Sequence, residues 1–305
     1  MPEREAVHRL LNLDPPQRLV SGELYIEPGL SQRILLGDAE DARKRVSRDQ
    51  AIELLVAAAR ALGLDYLGAR PCRSEGRYWC GPEGCDEMQS LALHGFFVFC
   101  VVEGGFTRLT REWGLGETLS FCAMRPEEAK DTILLLAREQ ADLAREAYDA
   151  GCGALLLAED VAYEHGLFVH HSLLKEILLP ELELFTREFN HVVLHSDGDV
   201  SQILEQIATS GVRGLHSVEP VGKMSLKLCL EVVRSRIAVL GGMRHAYLRA
   251  DAQSAAAAAS RLLSQARGHL YAFGSSSGIL DDTLSTQAVS AAYKCVKARR
   301  TTFLR

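Results

Sequence analysis

Cysteine is sparse: eight in 305 residues, far below the density of a disulfide-stapled scaffold, so these cysteines read as reduced thiols. Nine prolines and 25 glycines are too few for a collagen-like or low-complexity chain. No window approaches the ~18–20 uninterrupted apolar residues of a membrane span, so no membrane partner is expected. An excess of basic charge is also missing. With 34 basic and 40 acidic residues the formal charge is −6, and nucleic acid is not an expected partner. The start, Met1-Pro2-Glu3-Arg4-Glu5, is charged and has no apolar h-region; no secretory signal and a cytoplasmic location are expected. No Gly-x-Gly-x-x-Gly follows a strand candidate and no Gly-x4-Gly-Lys-Ser/Thr occurs, which leaves dinucleotide and P-loop sites unsupported.

What is there is alternation. Short apolar runs take turns with long amphipathic stretches. Strand candidates are 22–26, 64–69, 96–102, 153–158, 191–195, 214–217, 237–240 and 269–273. Runs of this length suit strands buried on both faces. The stretches between them, such as 48–62, 126–151, 171–189 and 251–267, are long enough to cross back over a parallel sheet. Eight such units predict an α/β fold, a (β/α)8 barrel, for which ~250 residues suffice. No composition break marks a linker. A single domain over 1–305 is expected, with residues 1–20 as an N-terminal extension.

In a parallel barrel the chemistry sits at the C-terminal strand ends. The fourth candidate ends in Glu159-Asp160 and the fifth in His195-Ser196-Asp197-Gly198-Asp199. The sixth ends in His216-Ser217-Val218-Glu219-Pro220, the seventh in Gly241-Gly242-Met243-Arg244-His245, and the eighth in Gly274-Ser275-Ser276-Ser277-Gly278. Carboxylates and imidazoles gathered on one rim suit proton transfer or metal binding. Asp199, just before a helix, reads as its N-cap. His216 is either a site residue or a packed core imidazole. Two adjacent carboxylates cannot both enter one apolar layer, so at least one of Glu159 and Asp160 should face the mouth. The serine-rich end of the eighth unit is either a loose loop or a nest of backbone N–H groups for an anion.

The ordered set of strand ends carries a resemblance. His195-Ser-Asp-Gly-Asp199, Gly214-Leu-His-Ser-Val-Glu-Pro220, Gly222-Lys-Met-Ser-Leu-Lys227 and Leu240-Gly-Gly-Met243 resemble the uroporphyrinogen decarboxylase superfamily. They are closest to its methyltransferase-like branch, associated with corrinoid and O-demethylase systems. Glu159-Asp160, the Glu176…Pro180 helix and Gly104-Gly-Phe106 echo the same branch. The resemblance implies a barrel that moves a methyl group between a small donor and a corrinoid as co-substrate, free or on a corrinoid protein. Its thiol-methylating members hold zinc through a His-x-Cys pair and a second Cys near strand eight. This chain departs from that pattern with His195-Ser-Asp197 and, at strand eight, Ser277. A divalent metal such as zinc would here be held by Glu159 and His195, with Glu176 or Asp197 as third ligand. Asp197 would otherwise orient His195, and Glu219 or Asp160 would manage a proton. His216, Arg244 and Ser277 are expected to contact substrate or cofactor, and a homodimer is an expected assembly.

The decarboxylase branch offers a rival: a tetrapyrrole substrate, with the same carboxylate–imidazole cluster as proton donor. That branch carries an N-terminal Arg-Gln-Ala-Gly-Arg-Tyr signature. Here Arg73-Ser-Glu-Gly-Arg77-Tyr78 comes after the second strand candidate, too far along the chain. A further alternative is a barrel without catalysis that binds a corrinoid or a protein partner. Cys72, Cys80 and Cys85, spaced C-x7-C and C-x4-C, do not match a zinc knuckle. Their loop reads instead as a lid in which Tyr78 and Trp79 offer stacking surface to a planar macrocycle.

Overall fold

The structure, a computed structural model, describes residues 2–37, 47–71 and 81–303. Eight parallel strands form the predicted α/β barrel: β1 (Val20–Ser21), β2 (Tyr66–Ala69), β3 (Phe97–Glu103), β4 (Ala154–Ala158), β5 (Val192–His195), β6 (Gly214–Ser217), β7 (Ala238–Met243) and β8 (Tyr271–Ser275). Each strand from β2 to β8 pairs with the next, and β8 pairs with β1 through Val20↔Ala272 and Ser21↔Phe273. The seam between β1 and β2 closes through the Gly22↔Tyr66 bridge, with Asp65 N–H donating to the Ser21 carbonyl at 2.7 Å and Gly68 N–H to the Leu24 carbonyl at 2.8 Å.

The first strand departs from the sequence expectation of 22–26. A Cβ on Gly22 would enter the ring of Tyr66, so the chain crosses Tyr66 where it has no side chain. Tyr25–Ile26 then leaves the barrel and pairs with Ile279–Leu280 in a separate two-stranded sheet. The helices follow their patterns closely. The stretch Arg48–Leu62 starts at a capping box, in which Ser47 Oγ accepts from Gln50 N–H and the Gln50 side chain accepts from Ser47 N–H, satisfying two orphan amides. In Pro126–Asp149, Ala129, Ile133, Ala137, Ala141, Ala144 and Ala147 form the buried stripe.

Alternation along the strands divides the core into two layers. Tyr66, Phe97, Phe99, Leu156, Val193, Leu240 and Ala272 point into the barrel, while Val98, Cys100, Leu155, Leu157, Leu194 and Phe273 face the helices. The expected N-terminal extension is part of the inner layer. Helix Arg4–Leu11 inserts Ala6, Val7, Leu10 and Leu11 beside Phe97, Ala154, Ala238 and Leu270, at the strand starts, and so plugs the barrel floor. Burial of Val7 and the two leucines stabilises this plug by ~1.5–3 kcal/mol each. Among the described residues, no helix is long and apolar enough to cross a membrane.

Beyond Gly22 the chain carries Glu23 into the outer layer, fully buried. Its carboxyl accepts from Ser275 N–H and Ser275 Oγ–H, both at 2.6 Å, and from the Tyr293 hydroxyl. Burial outweighs these bonds and raises its pKa to about 7 from 4.5. The neutral carboxyl therefore favours the fold fully below pH 4.5, and that contribution is lost as pH rises through 7. The loss is on the order of 3 kcal/mol. Urea titrations at pH 5 and pH 8 should show wild type losing this much more stability than Glu23→Gln. Parallel pH dependence in the two proteins would contradict the assignment.

Candidate active site

Glycines and carboxylates at the ends of β3 and β4 build the frame of the site. Helix Gly105–Trp113 begins directly after β3, and its first amides need acceptors. Glu159 supplies two: its Oε1 accepts from Phe106 N–H and its Oε2 from Thr107 N–H, each at 2.8 Å. Glu181, from helix His171–Glu188, accepts from Gly105 N–H at 2.6 Å. A Cβ on Gly104 would collide with the Glu159 carboxyl, and one on Gly105 with the Ile133 carbonyl, so only Gly-Gly admits this approach. Both carboxyls are fully buried. Burial raises the pKa of each, and the charge of Glu159 raises Glu181 further. Glu181 is thus held well above the ordinary carboxylate range by burial and by its acidic neighbour.

This corrects the expected role of Glu159. Its oxygens are turned to backbone amides rather than to the mouth, because successive strand-end side chains point to opposite sides. Asp160 takes the mouth position. Asp160 Oδ1, His195 Nε2 and Asp197 Oδ1 converge. The imidazole lies 3.8 Å from Asp160 and 3.7 Å from Asp197, and one ligand atom from each residue falls within 4.8 Å of the others. Among the described residues this is the one such group of His, Cys, Asp and Glu.

The neighbours fix the trio. Thr107 Oγ1 accepts from Asp160 N–H at 2.8 Å, and Asp160 Oδ1 accepts from Asp197 N–H at 3.0 Å. Ser217 Oγ donates to Asp197 Oδ1 at 2.8 Å. Behind the trio, His195 Nδ1 lies 2.6 Å from His216 Nδ1, so one of these nitrogens carries a proton and the other accepts it. His216 is fully buried, and burial, aided by His195, pushes its imidazole well below the ordinary value; it is neutral at physiological pH. It touches the trio through His195 and is not an isolated packing imidazole. With the shared proton on His195 Nδ1, the lone pair of Nε2 faces the two carboxylates.

The other expected residues scatter. Glu219 follows β6, and its carboxyl is raised by burial first and then by the charge of Asp197, with Arg244 working against both. Arg244 is exposed at the start of helix His245–Arg249. Glu176 is exposed on helix His171–Glu188, outside the metal-like group, because it lies on the solvent face of that helix while Glu181 faces in with Leu174, Ile177 and Leu178. Asp199 is a loop cap, accepting from Ser201 N–H at 3.0 Å and Lys223 N–H at 2.8 Å. Ser277 hydrogen-bonds His245 at 3.0 Å. The amides of Ser275 and Ser276 are taken by Glu23 and the Met243 carbonyl, so these two do not form an anion nest. Tyr78 and Trp79, with Cys72, Arg73, Arg77 and Cys80, lie outside the described residues. The sequence reading missed Thr107 and Glu181, and placed Ser217 and His245 at strand ends without giving either a role. The first-turn position of Thr107 after Gly104-Gly105 was the available signal for it.

Comparison with known proteins completes the picture. No curated relative matches the sequence. Among solved structures, a methyltransferase from Methanosarcina mazei superposes with a TM-score of 0.76 at 16% identity, covering 97% of this chain and 98% of that one. At this identity the likeness establishes the shared fold. A mandelate oxidase bound to 2-hydroxy-phenylacetamide reaches a TM-score of only 0.44 at 14% identity, over 83% of this chain and 69% of that one. The family model described as uroporphyrinogen decarboxylase matches residues 98–299, from β3 through the last helix. The chain thus belongs to the uroporphyrinogen decarboxylase family.

Proposed function

We propose that the protein is a methyltransferase-like enzyme in which Asp160, His195 and Asp197 hold a divalent metal ion at the barrel mouth. The convergence of one imidazole nitrogen and two carboxylate oxygens within 4.8 Å carries this reading. The donor set fits such an ion. One nitrogen and two oxygens suit zinc and other divalent metals. The 3.7–3.8 Å separations approach the ~3.4 Å between neighbouring ligands of a tetrahedral ion bonded at about 2.1 Å. This set has Asp160 in place of Glu159 and, of the two expected third ligands, Asp197 rather than Glu176. It also contains no sulfur, in keeping with Ser196-Asp197 and Ser277 where thiol-methylating relatives carry cysteine.

A divalent ion held by these residues would supply a Lewis acid able to activate a small methyl donor or the acceptor. The chain's own residues do the rest. His216 holds the His195 tautomer with Nε2 toward the carboxylates. Ser217 and the amide of Asp197 fix the two aspartates. Glu219, its carboxyl raised by burial and by the charge of Asp197 with Arg244 opposing, manages the proton of the acceptor. A corrinoid, free or carried by a corrinoid protein, is the proposed co-substrate, with support from the structural likeness to a methyltransferase. The family model's description keeps decarboxylation of a tetrapyrrole as a second reading. There the cluster acts as a metal-free proton donor.

Elemental analysis of protein purified without chelators should find about one divalent metal per chain, lost in His195→Ala and Asp197→Ala and retained in Glu176→Ala. Metal-free wild type that turns over uroporphyrinogen would move the assignment to the decarboxylase. His216→Phe removes only the partner of His195 Nδ1, and should weaken metal affinity by about 10–100-fold in a competition titration with a chromophoric chelator. Unchanged affinity would exclude His216 from the site.

A further inference from the structure

The loops after β7 and β8 carry a second constellation. Ser277 Oγ lies 3.0 Å from His245 Nε2. His245 Nδ1 lies 3.4 Å from Asp281 Oδ2. Asp281 is itself oriented: it accepts from Thr283 N–H at 2.7 Å and from the Thr283 hydroxyl, and pairs with Arg249 at 3.2 Å. The amide of Ser276 donates to the Met243 carbonyl at 2.8 Å, which ties the serine loop to the strand that leads into His245. His245 and Asp281 keep 18% and 24% of their side-chain surface, so the group is packed yet reachable.

We propose that Ser277, His245 and Asp281 form a nucleophilic triad that transfers acyl groups from small carboxylic esters. A hydroxyl within reach of an imidazole, whose far nitrogen faces a carboxylate, is the arrangement that activates serine. Asp281 Oδ2 faces Nδ1 at 3.4 Å without a hydrogen bond at rest, and its closer approach would hold the imidazole proton on Nδ1 and leave the Nε2 lone pair facing Ser277. The Ser277 hydroxyl has a second acceptor at rest, the Ile279 carbonyl at 3.1 Å, and must rotate from it toward Nε2. Ile279 N–H donates to Ser277 Oγ at 3.2 Å and so stabilises negative charge that builds there. Burial lowers the imidazole pKa of His245, with Asp281 opposing, then Arg249 lowering, and the Ile279 carbonyl and Asp197 raising it.

In the step, Ser277 Oγ forms a bond to the ester carbonyl carbon while its proton passes to His245 Nε2. The bond from that carbon to the alkoxy oxygen then breaks, and the leaving alkoxide takes the proton from His245. Water, deprotonated by the same nitrogen, cleaves the acyl-serine to the acid and restores the hydroxyl. No residue of the Asp160–His195–Asp197 trio exchanges a bond or proton in this step, Asp197 acting on His245 only through its charge, so failure here leaves the methyl-transfer reading untouched.

The test is acylation by p-nitrophenyl acetate, followed by p-nitrophenol release and peptide mass spectrometry. Wild type should release about one equivalent in a burst and carry acetyl on Ser277, acquired at least about 100-fold faster than on the exposed Ser264. Ser277→Ala should abolish the burst. His245→Gln and His245→Ala should slow it by about 100-fold at unchanged melting temperature. Absence of acetyl on Ser277 in wild type, labelling there no faster than on Ser264, or an undiminished rate in a folded His245 variant would overturn the proposal.

Discussion

A strand presents successive side chains to opposite sides, and at the end of β4 this constraint splits two adjacent carboxylates between two tasks. Glu159 turns to the first amides of helix Gly105–Trp113 and meets Glu181. Asp160 turns to the mouth and meets His195 and Asp197. The two tasks are linked. The helix that Glu159 anchors supplies Thr107, whose hydroxyl accepts from the Asp160 amide, so the buried pair sets the position of the exposed aspartate. A one-residue shift of β4 would exchange the roles and leave a carboxylate without amide partners in the core, at a cost of several kcal/mol.

The barrel was legible because its signals are periodic. Apolar runs of four to seven residues and amphipathic stretches between them marked seven of the eight strands within a few residues. The first strand was not legible, because only Val20–Ser21 pairs in the ring and two residues carry no period. Its neighbours Tyr25 and Ile26 have stronger strand character but serve a separate sheet. The rim residues His195, Asp197 and His216 were legible as polar ends of apolar runs. Which of Glu159 and Asp160 faces the mouth was not, since the strand's end must be known to one residue. Glu181 and His245 were hidden for another reason: their partners, Gly105 and Ser277, lie 76 and 32 residues away, and no local pattern records such contacts.

The departures from thiol-methylating relatives acquire a physical sense. Where those proteins place a thiolate after the metal-binding histidine, Asp197 supplies an oxygen held by Ser217. At the strand-eight position, Ser277 is engaged by His245 and the backbone of Ile279, turned to a different partner from the metal trio. The proposed site thus offers oxygen and nitrogen ligands, with one imidazole met from behind by another.

X-ray absorption at the edge of the copurified metal tests that conclusion most directly. The account predicts a first shell of nitrogen and oxygen at about 2.0–2.2 Å with an imidazole signature, abolished by His195→Ala. A sulfur shell near 2.3 Å, or a shell unchanged by His195→Ala, would contradict it.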